Sequence, residues 1–284
     1  MICWPAPAKL NLFLYITGQR PADGYHNLQT LFQFLDYGDS LTFQLRQDDR
    51  IKLVNSISNV PDESNLIMIA AKLLRTVALQ SGIPRDQMLG VDIGIDKTLP
   101  MGGGLGGASS DAATVLVALN QLWQLKLSTE QLIEISRQIG ADVPIFIYGH
   151  SAFAQGIGDQ LESIELPENY FLVVQPGIEI STAKIFNHPA LIRDTPVRDL
   201  TTLLNSAFSN DCEPLVRYLY PEVDSVIKRM SAFAPTRLTG TGACVFAEFQ
   251  DETSALAAKT ALNLPNAFVA KGINRSPVYT NLIR

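Results

Sequence analysis

Cysteine and histidine are scarce in this 284-residue chain, which contains three of each. The cysteines are widely separated, and the sequence has neither a CxxC pair nor a Cys/His cluster with zinc spacing. These absences exclude a disulfide-stapled scaffold and a zinc finger. The histidines are scattered, and their order gives no support to a Ser-His-acid or Cys-His hydrolase. We expect reduced thiols and a cytoplasmic protein.

Long apolar runs and an excess of basic residues are also lacking. No segment approaches the ~18 to 20 apolar residues of a membrane helix, and no basic segment leads into an apolar stretch near residue 1. Acidic residues outnumber basic ones by 28 to 22, which gives a net charge of −6. Nucleic-acid binding relies on clustered basic residues, so we expect no nucleic-acid partner. We also expect neither secretion nor membrane insertion, and no pattern indicates an oligomeric state.

Glycine, by contrast, is concentrated in one segment. Residues 100–111 read Pro-Met-Gly-Gly-Gly-Leu-Gly-Gly-Ala-Ser-Ser-Asp, so five of the six positions from Gly102 to Gly107 lack a Cβ. An alternating apolar run over 91–95 precedes this segment, and an apolar-rich stretch over 112–123 follows it. This order predicts a strand-to-helix turn. Backbone N–H groups at such a turn, together with the positive end of the helix, favour a bound phosphate.

Three other interpretations of the glycine segment must be weighed. A P-loop needs Lys and then Ser or Thr after its last glycine, but Ala108 and Ser109 stand there. The dinucleotide fingerprint fits by spacing, yet Pro100 intervenes and only Glu130 comes near the required acidic position. A ligand-free glycine hairpin or linker is the third alternative. Phosphate binding is favoured over all three.

The length and the 46% hydrophobic content allow two domains. We expect an N-terminal domain over 1–160 and a C-terminal domain over 161–284, with a crossing near the Pro176-Gly177 turn. A capping box at Ser128 and Gln131 predicts a helix that ends near Gly140. The remaining patterns predict strands over 9–17, 28–35, 41–46, 51–54, 152–155, 171–175, 244–249 and 267–273, and helices over 66–79, 200–208, 214–220, 222–233 and 253–262.

Three further segments carry polar groups beside tight backbone. Lys9 and Asn11 alternate with leucines, so a strand would project both from one face, either into a pocket or at a solvated edge. Asp142 precedes Val143-Pro144, where it could cap a helix or act as a general base. The segment 239–243, Thr-Gly-Thr-Gly-Ala, could be a hairpin turn or a second loop over the phosphates.

In their order, these glycine-bearing segments resemble the three motifs of the GHMP kinases, and the resemblance spans most of the chain. A narrower resemblance, to the members of this family whose alcohol substrate carries a cytidine diphosphate, rests on four segments. These are residues 7–14 (Pro-Ala-Lys-Leu-Asn-Leu-Phe-Leu), 23–26 (Asp-Gly-Tyr-His), 28–39 and 140–144 (Gly-Ala-Asp-Val-Pro). Two departures occur. Pro21-Ala22 makes one turn a residue longer than the usual pattern, and Thr239 and Thr241 replace smaller neighbours.

The resemblance implies an α+β, two-domain fold: a ribosomal-protein-S5-like ATP-binding domain followed by a ferredoxin-like α/β sandwich domain. It implies that ATP is the co-substrate, that Mg²⁺ is required, and that the γ-phosphoryl group is transferred to the 2-hydroxyl of the cytidyl-diphosphate alcohol in isoprenoid synthesis. No metal ligand is implied. The rivals are a kinase of the homoserine or mevalonate type, an ATP-binding regulator without turnover, and a nicotinamide enzyme.

The resemblance also assigns roles to residues. Lys9 and Asp142 correspond to the catalytic pair, with Asp142 taking the alcohol proton and Lys9 offsetting charge. Tyr25, His26 and Phe186 would hold the cytosine, although the first two could simply be turn residues after Gly24. Asn11 and Thr182 would lie near the acceptor end or its phosphates. The ATP-phosphate loop would comprise Pro100, Met101, Gly102, Gly103, Gly104, Leu105, Gly106, Gly107, Ala108, Ser109 and Ser110.

Overall fold

The computed structural model describes residues 3–20, 24–55, 57 and 60–283. Pro21, Ala22 and Asp23, which carry the expected reshaping of the turn, lie outside the described residues. Within the described ranges the ten strands are β1 (Cys3–Gln19), β2 (His26–Leu45), β3 (Ile51–Leu53), β4 (Val91–Asp96), β5 (Ala152–Gln155), β6 (Gln160–Ser163), β7 (Tyr170–Val174), β8 (Thr236–Leu238), β9 (Val245–Phe249) and β10 (Ala267–Ile273).

The helices of the same residues are α1 (Leu66–Gln80), α2 (Gly107–Leu122), α3 (Thr129–Ser136), α4 (Val143–Tyr148), α5 (Thr182–Phe186), α6 (Leu200–Leu204), α7 (Glu213–Leu219), α8 (Pro221–Met230) and α9 (Glu252–Leu262). Short 3₁₀ turns cover Arg85–Gln87 and Pro277–Ile283. Among these elements, no helix is long and apolar enough to cross a bilayer.

The strands form one mixed sheet in the order β3-β4-β2-β10-β7-β9-β8. Strand β1 pairs with β2, and β5 pairs with both β2 and β6. Strand β3 is parallel to β4, whereas the other pairs are antiparallel. The two halves of the chain meet where β10 pairs with β2, through Gly272 opposite Leu35 and Ile273 opposite Phe34.

Three apolar cores among the described residues stabilise this arrangement. One lies between α1, α2 and the N-terminal strands and includes Phe34 and Leu116. A second packs the C-terminal helices on β7 and β9 and includes Leu172 and Met230. The third contains Phe13 and draws strands from both halves. This third core therefore joins the two halves of the chain.

Strand β2 differs from the expectation of two separate strands over 28–35 and 41–46. The polar residues between them continue the strand, because Gly38 lets the backbone of β1 pass: a Cβ there would collide with the Ala6 carbonyl. Asp39 is held in place as well, since its carboxylate accepts hydrogen bonds from the N–H groups of Thr98 and Leu99 at 2.6 and 2.7 Å. Backbone contacts therefore override the turn-like composition.

Two helix ends also differ from the sequence pattern. The capping box of Ser128 and Gln131 is confirmed at the start of α3. The predicted end at Gly140 is wrong, because α3 stops at Ser136. From there the chain tightens through i to i−3 bonds, such as Ile139 N–H to the Ser136 carbonyl at 2.9 Å, and needs no left-handed glycine. The strand over 267–273 agrees to the residue, while β6, β8, α4 and α5 were not predicted.

Candidate active site

Lys9 and Asn11 lie on β1, inside the protein. The Lys9 ammonium donates to Asn11 Oδ1 at 2.6 Å, so the two side chains share one face as the alternation predicts. Both residues are buried, with 2% and 3% of their surface exposed. Burial excludes the alternative of a solvated strand edge. The Asn11 amide in turn donates to Thr30 Oγ1 at 2.8 Å, which fixes its orientation.

The Lys9 ammonium has further partners from two other segments. It donates to the Gly104 carbonyl at 3.2 Å and lies 3.4 Å from Asp142 Oδ2. The Lys9 side chain is 3% exposed, whereas that of Asp142 is 44% exposed. Asp142 occupies the residue before α4, yet its side chain makes no capping hydrogen bond. The capping interpretation is therefore wrong. The Asp142 carboxylate instead contacts Lys9 and remains partly open to solvent.

The glycine segment forms the predicted turn between β4 and α2. Gly104 has φ +74°, and a Cβ there would collide with the Thr239 carbonyl. Gly106, with φ +75°, precedes α2, and a Cβ there would lie 2.7 Å from the Phe146 ring and 3.2 Å from Lys9 Cε. A side chain at either position would collide with these neighbours, which explains why both residues are glycine. The helix begins at Gly107 rather than at 112, so its N–H groups face the loop.

The segment Thr239–Ala243 connects β8 to β9 and also packs on the glycine loop. Ala243 and Cys244 donate their N–H groups to the carbonyls of Gly102 and Gly103, each at 3.1 Å. Thr239 Oγ1 accepts from the Asn11 N–H at 3.0 Å. The segment is therefore a turn between two strands, and it supports the backbone of the first loop. Its role as a second loop over the phosphates stays a prediction.

These segments surround one cavity of about 640 Å³. Its lining brings together Lys9, Asn11, Leu14, Gly24, Tyr25, His26, Leu28, Thr30, Phe32, Gly104, Ser109, Ala141, Asp142, Ile157, Gly158, Thr182, Ala183, Phe186, Asn187, Gly240 and Thr241. Of the expected ATP loop, Gly104 and Ser109 line this cavity. Pro100 and Met101 line a separate space of about 350 Å³ with Tyr37 and Phe268. The glycine loop therefore lies between two cavities.

The end of the cavity opposite the lysine is aromatic. The rings of His26 and Phe186 stack with centroids 5.1 Å apart and planes inclined by 30°. Tyr25 is 55% exposed at the mouth. Thr182, at the start of α5, has its hydroxyl 2.9 Å from that of Thr241. His26 is only 6% exposed and is the first residue of β2, so it does not lie in an exposed turn. Burial and then the Arg193 charge lower the pKa of His26, which favours a neutral ring.

Several polar residues around the site were not predicted. Arg193 contacts His26, and no sequence signal distinguished it. Lys97 and the buried carboxylates of Asp39 and Asp111 form a charged cluster beside the glycine loop, with Lys97 Nζ 2.5 and 3.0 Å from their oxygens. Asp111, as an acid within an apolar helix, could have signalled this cluster.

Burial dominates the electrostatics of that cluster. It raises the pKa of Asp111 to about 7, with Asp39 adding to the rise and Lys97 opposing it. Burial by itself would lower the pKa of Lys97, but the two carboxylates outweigh it and the net change is upward. One Asp111 oxygen and the Ser110 hydroxyl have no hydrogen-bond partner among the described residues.

Two family models match the chain. The GHMP kinase N-terminal domain matches residues 65–150, and the GHMP kinase C-terminal domain matches residues 188–266. Together they cover more than half of the sequence. The glycine loop and Asp142 lie inside the first match.

Solved structures resemble the chain over nearly its full length. A 4-(cytidine 5'-diphospho)-2C-methyl-D-erythritol kinase is 30% identical, with a TM-score of 0.81, over 95% of this chain and 99% of that one. The Methanococcus jannaschii mevalonate kinase is 17% identical, with a TM-score of 0.70, over 97% and 98% of the two chains. The Cytophaga hutchinsonii homoserine kinase is 19% identical, with a TM-score of 0.66, over 96% and 94%. The latter two show the shared fold alone.

Proposed function

Because this chain belongs to the GHMP kinase family, whose members use ATP to phosphorylate alcohols, we propose that its substrate is 4-diphosphocytidyl-2-C-methyl-D-erythritol. The γ-phosphoryl group of ATP is transferred to the 2-hydroxyl, which gives the 2-phosphate and ADP. The support comes from the kinase of that substrate at 30% identity and from the aromatic end of the cavity. The two-domain, mixed α+β fold is that of the family.

The observation that carries this proposal is the Lys9–Asp142 pair at 3.4 Å, with the carboxylate open to the cavity and the ammonium buried behind it. The alcohol oxygen bonds to the γ-phosphorus of ATP while Asp142 accepts the alcohol proton. The bond between the γ-phosphorus and the oxygen that bridges it to the β-phosphate breaks, so that ADP leaves. Lys9 holds Asp142 in place and offsets charge on the transferred oxygens. Asn11, bonded to Lys9 Nζ at 2.6 Å, orients that ammonium.

The triphosphate is placed on the segment from Pro100 to Ser110. Its support is the glycine backbone and the first turn of α2, where unpaired N–H groups and the positive end of the helix favour an anion. Gly104 joins this segment to the reaction site, because its carbonyl accepts from Lys9 Nζ at 3.2 Å. The phosphate chain then runs toward the Asp142 carboxylate.

Mg²⁺ neutralises the triphosphate when it is bound. No cluster of three or more acidic, histidine or cysteine side chains with metal-site spacing occurs among the described residues. The donors present still fit this ion, which prefers oxygen and keeps several waters. Ser109 lines the cavity together with Gly104, and its hydroxyl would be the protein ligand.

The cytosine is placed between Tyr25 and the stacked pair of His26 and Phe186, with the diphosphate passing Thr182 and Asn11. A flat aromatic surface at one end and a base with its lysine at the other suit a substrate with a nucleobase and a distant alcohol. We further propose that the reaction takes place in the cytoplasm, where Cys212 and Cys244 stay reduced. The domain division 1–160 and 161–284 also remains a proposal.

The decisive experiment is a phosphorylation assay on the purified chain with ATP and the cytidyl substrate, followed by ³¹P NMR to locate the new phosphate. Asp142→Asn should lower kcat by about 10² to 10⁴ while ATP binding is retained. Asp86→Asn, an exposed acid outside the cavity lining, serves as the matched control. Near-normal turnover of Asp142→Asn would overturn the assignment of the base.

The same assay separates the rivals. Turnover of homoserine or mevalonate in place of the cytidyl substrate would support another kinase of the family. ATP binding in a thermal-shift experiment, without turnover of any of these alcohols, would support a regulator.

A further inference from the structure

Arg193 connects the aromatic end of the cavity to two separate parts of the chain. Its Nε donates to His26 Nε2 at 3.0 Å, and His26 is the first residue of β2. Its Nη2 donates to the Phe186 carbonyl at 2.9 Å and to the His188 carbonyl at 2.7 Å. Nη1 donates to the Leu191 carbonyl at 3.1 Å. The guanidinium is therefore committed, on every nitrogen, to holding this corner of the cavity.

The contact with His26 has a chemical consequence. A guanidinium can only donate hydrogen bonds, so the imidazole nitrogen that faces it must be an acceptor without a proton. A neutral imidazole carries one proton, which then has to lie on Nδ1. Burial and the Arg193 charge both act in the same direction, because they lower the pKa of His26 and disfavour the doubly protonated ring.

The stack beside it depends on the same guanidinium. Phe186 is the last residue of α5, a helix of only five residues, so few contacts of its own fix where it ends. The Arg193 bonds to the Phe186 and His188 carbonyls take up backbone acceptors at that end. They keep the Phe186 ring 5.1 Å from the ring of His26.

We propose that Arg193 is a positioning residue for nucleobase recognition: it fixes His26 as the Nδ1–H tautomer and holds the His26 and Phe186 rings in one stack. The pocket then offers one ring N–H donor and one flat aromatic surface, which suits a pyrimidine that presents ring acceptors, as cytosine does with N3 and O2. Only the identity of the base rests on the proposed function. The tautomer and the stack follow from contacts within the chain.

The first test needs neither ATP nor substrate. Long-range ¹H–¹⁵N NMR of the histidine rings distinguishes the two tautomers of His26 in the folded protein. We expect the Nδ1–H form in the wild type. In Arg193→Met, which removes the donors but keeps a long side chain, we expect the ring to shift to the Nε2–H form that free imidazoles prefer. An Nε2–H or cationic ring in the wild type at pH 7 would overturn the proposal, whether or not the variant folds.

The second test measures binding of cytidine 5'-diphosphate and of ATP by calorimetry. Arg193→Met should weaken cytidine diphosphate binding about tenfold and leave ATP binding unchanged. Steady-state assays should show the same split, with KM for the cytidyl substrate raised and kcat little changed. Equal losses for both ligands would indicate a merely structural arginine and overturn the proposal. Arg198→Met is the matched control, since Arg198 stacks on Tyr15 and not on this corner.

The third test asks whether Arg193 acts through His26. In a His26→Ala background, Arg193→Met should cost much less cytidine diphosphate affinity than in the wild type, and full additivity would contradict the mechanism. The failures are distinguishable. Wild-type protein with the expected tautomer but without cytidine diphosphate binding would count against the proposed substrate. Binding with the other tautomer would count against Arg193.

Discussion

Two lysines flank the glycine loop, and their partners differ. Lys9 is buried, whereas Lys97 is partly buried, with 22% of its side chain exposed. Lys9 is bonded to an amide oxygen and a backbone carbonyl, and Asp142, the carboxylate in contact with it among the described residues, is 44% exposed. Lys97 is bonded to two carboxylates, Asp39 and Asp111, which are 0% and 2% exposed. Both lysines touch the loop region, since Lys97 Nζ lies 3.1 Å from the position of a Cβ on Gly107.

In the proposed mechanism, the exposure of the carboxylate distinguishes a reactive pair, Lys9 and Asp142, from a structural one. A carboxylate open to a cavity can exchange its lysine contact for a substrate hydroxyl, and water replaces what it loses. A carboxylate closed off from solvent cannot, so its lysine is needed to keep the charge compensated. Lys9 should therefore matter for turnover, whereas Lys97 should matter for folding.

Of the two lysine variants, Lys9→Met should have the larger effect on turnover, because it removes the ammonium that contacts Asp142. We expect kcat to fall by about 10² to 10³, because in the proposed mechanism Lys9 offsets charge on the transferred oxygens. ATP affinity should change far less, since the glycine backbone is retained. The free energy of unfolding should fall by only about 1 to 3 kcal/mol, for the unpaired Asn11 oxygen. Steady-state kinetics, ATP titration and urea denaturation measure the three quantities. Equal losses in kcat and ATP affinity would mean that Lys9 only binds ATP.

Lys97→Met should give the opposite profile. Two buried carboxylates would lose their cation, and we expect the free energy of unfolding to fall by about 3 to 5 kcal/mol in urea denaturation. Protein that still folds should keep kcat closer to the wild type than Lys9→Met does. If Lys97→Met instead folds normally and loses turnover, the distinction between the two lysines is wrong.

A further effect should appear in the pH dependence of stability. The pKa of Asp111 is raised from 3.8 to about 7, so between these values the folded chain keeps a proton that the unfolded chain releases. Stability from this residue therefore falls as pH rises from about 4 to about 7. Asp111→Asn, which cannot ionise, should flatten that part of the curve in urea denaturation at several pH values. With Asp86→Asn as control, an unchanged slope in Asp111→Asn would contradict the assignment.

Much of the architecture could be predicted from sequence, because local patterns determine it. The capping residue Ser128 and the glycines 102–107 each act within a few positions of the chain, and both gave correct element types. Strand β2 was predicted as two pieces, because the reason for its continuity is the close approach of the Ala6 backbone to Gly38, far apart in sequence. The amino-acid composition of a segment contains no information about a contact between residues far apart in the chain.

The site divides in the same way. Alternation placed Lys9 and Asn11 on one face, and the structure brings them together with Asp142. Which of its two possible roles Asp142 takes could not be decided from the Val143-Pro144 that follows it, since helix capping depends on where the side chain points. Arg193 was missed because its partners lie 167 residues away at His26 and in the loop it belongs to. The assigned roles themselves remain predictions.

Strand β2 starts at His26 and reaches Thr30, the partner of Asn11, four residues later. At about 3.3 Å per residue, the sheet separates the two ends by roughly 13 Å, and paired strands cannot shorten. If the proposed function holds, with the base at His26 and the alcohol beyond Asn11, the substrate has to bridge at least that span. The spacing of two positions on one strand would then set the minimum length of the molecules that the site accepts.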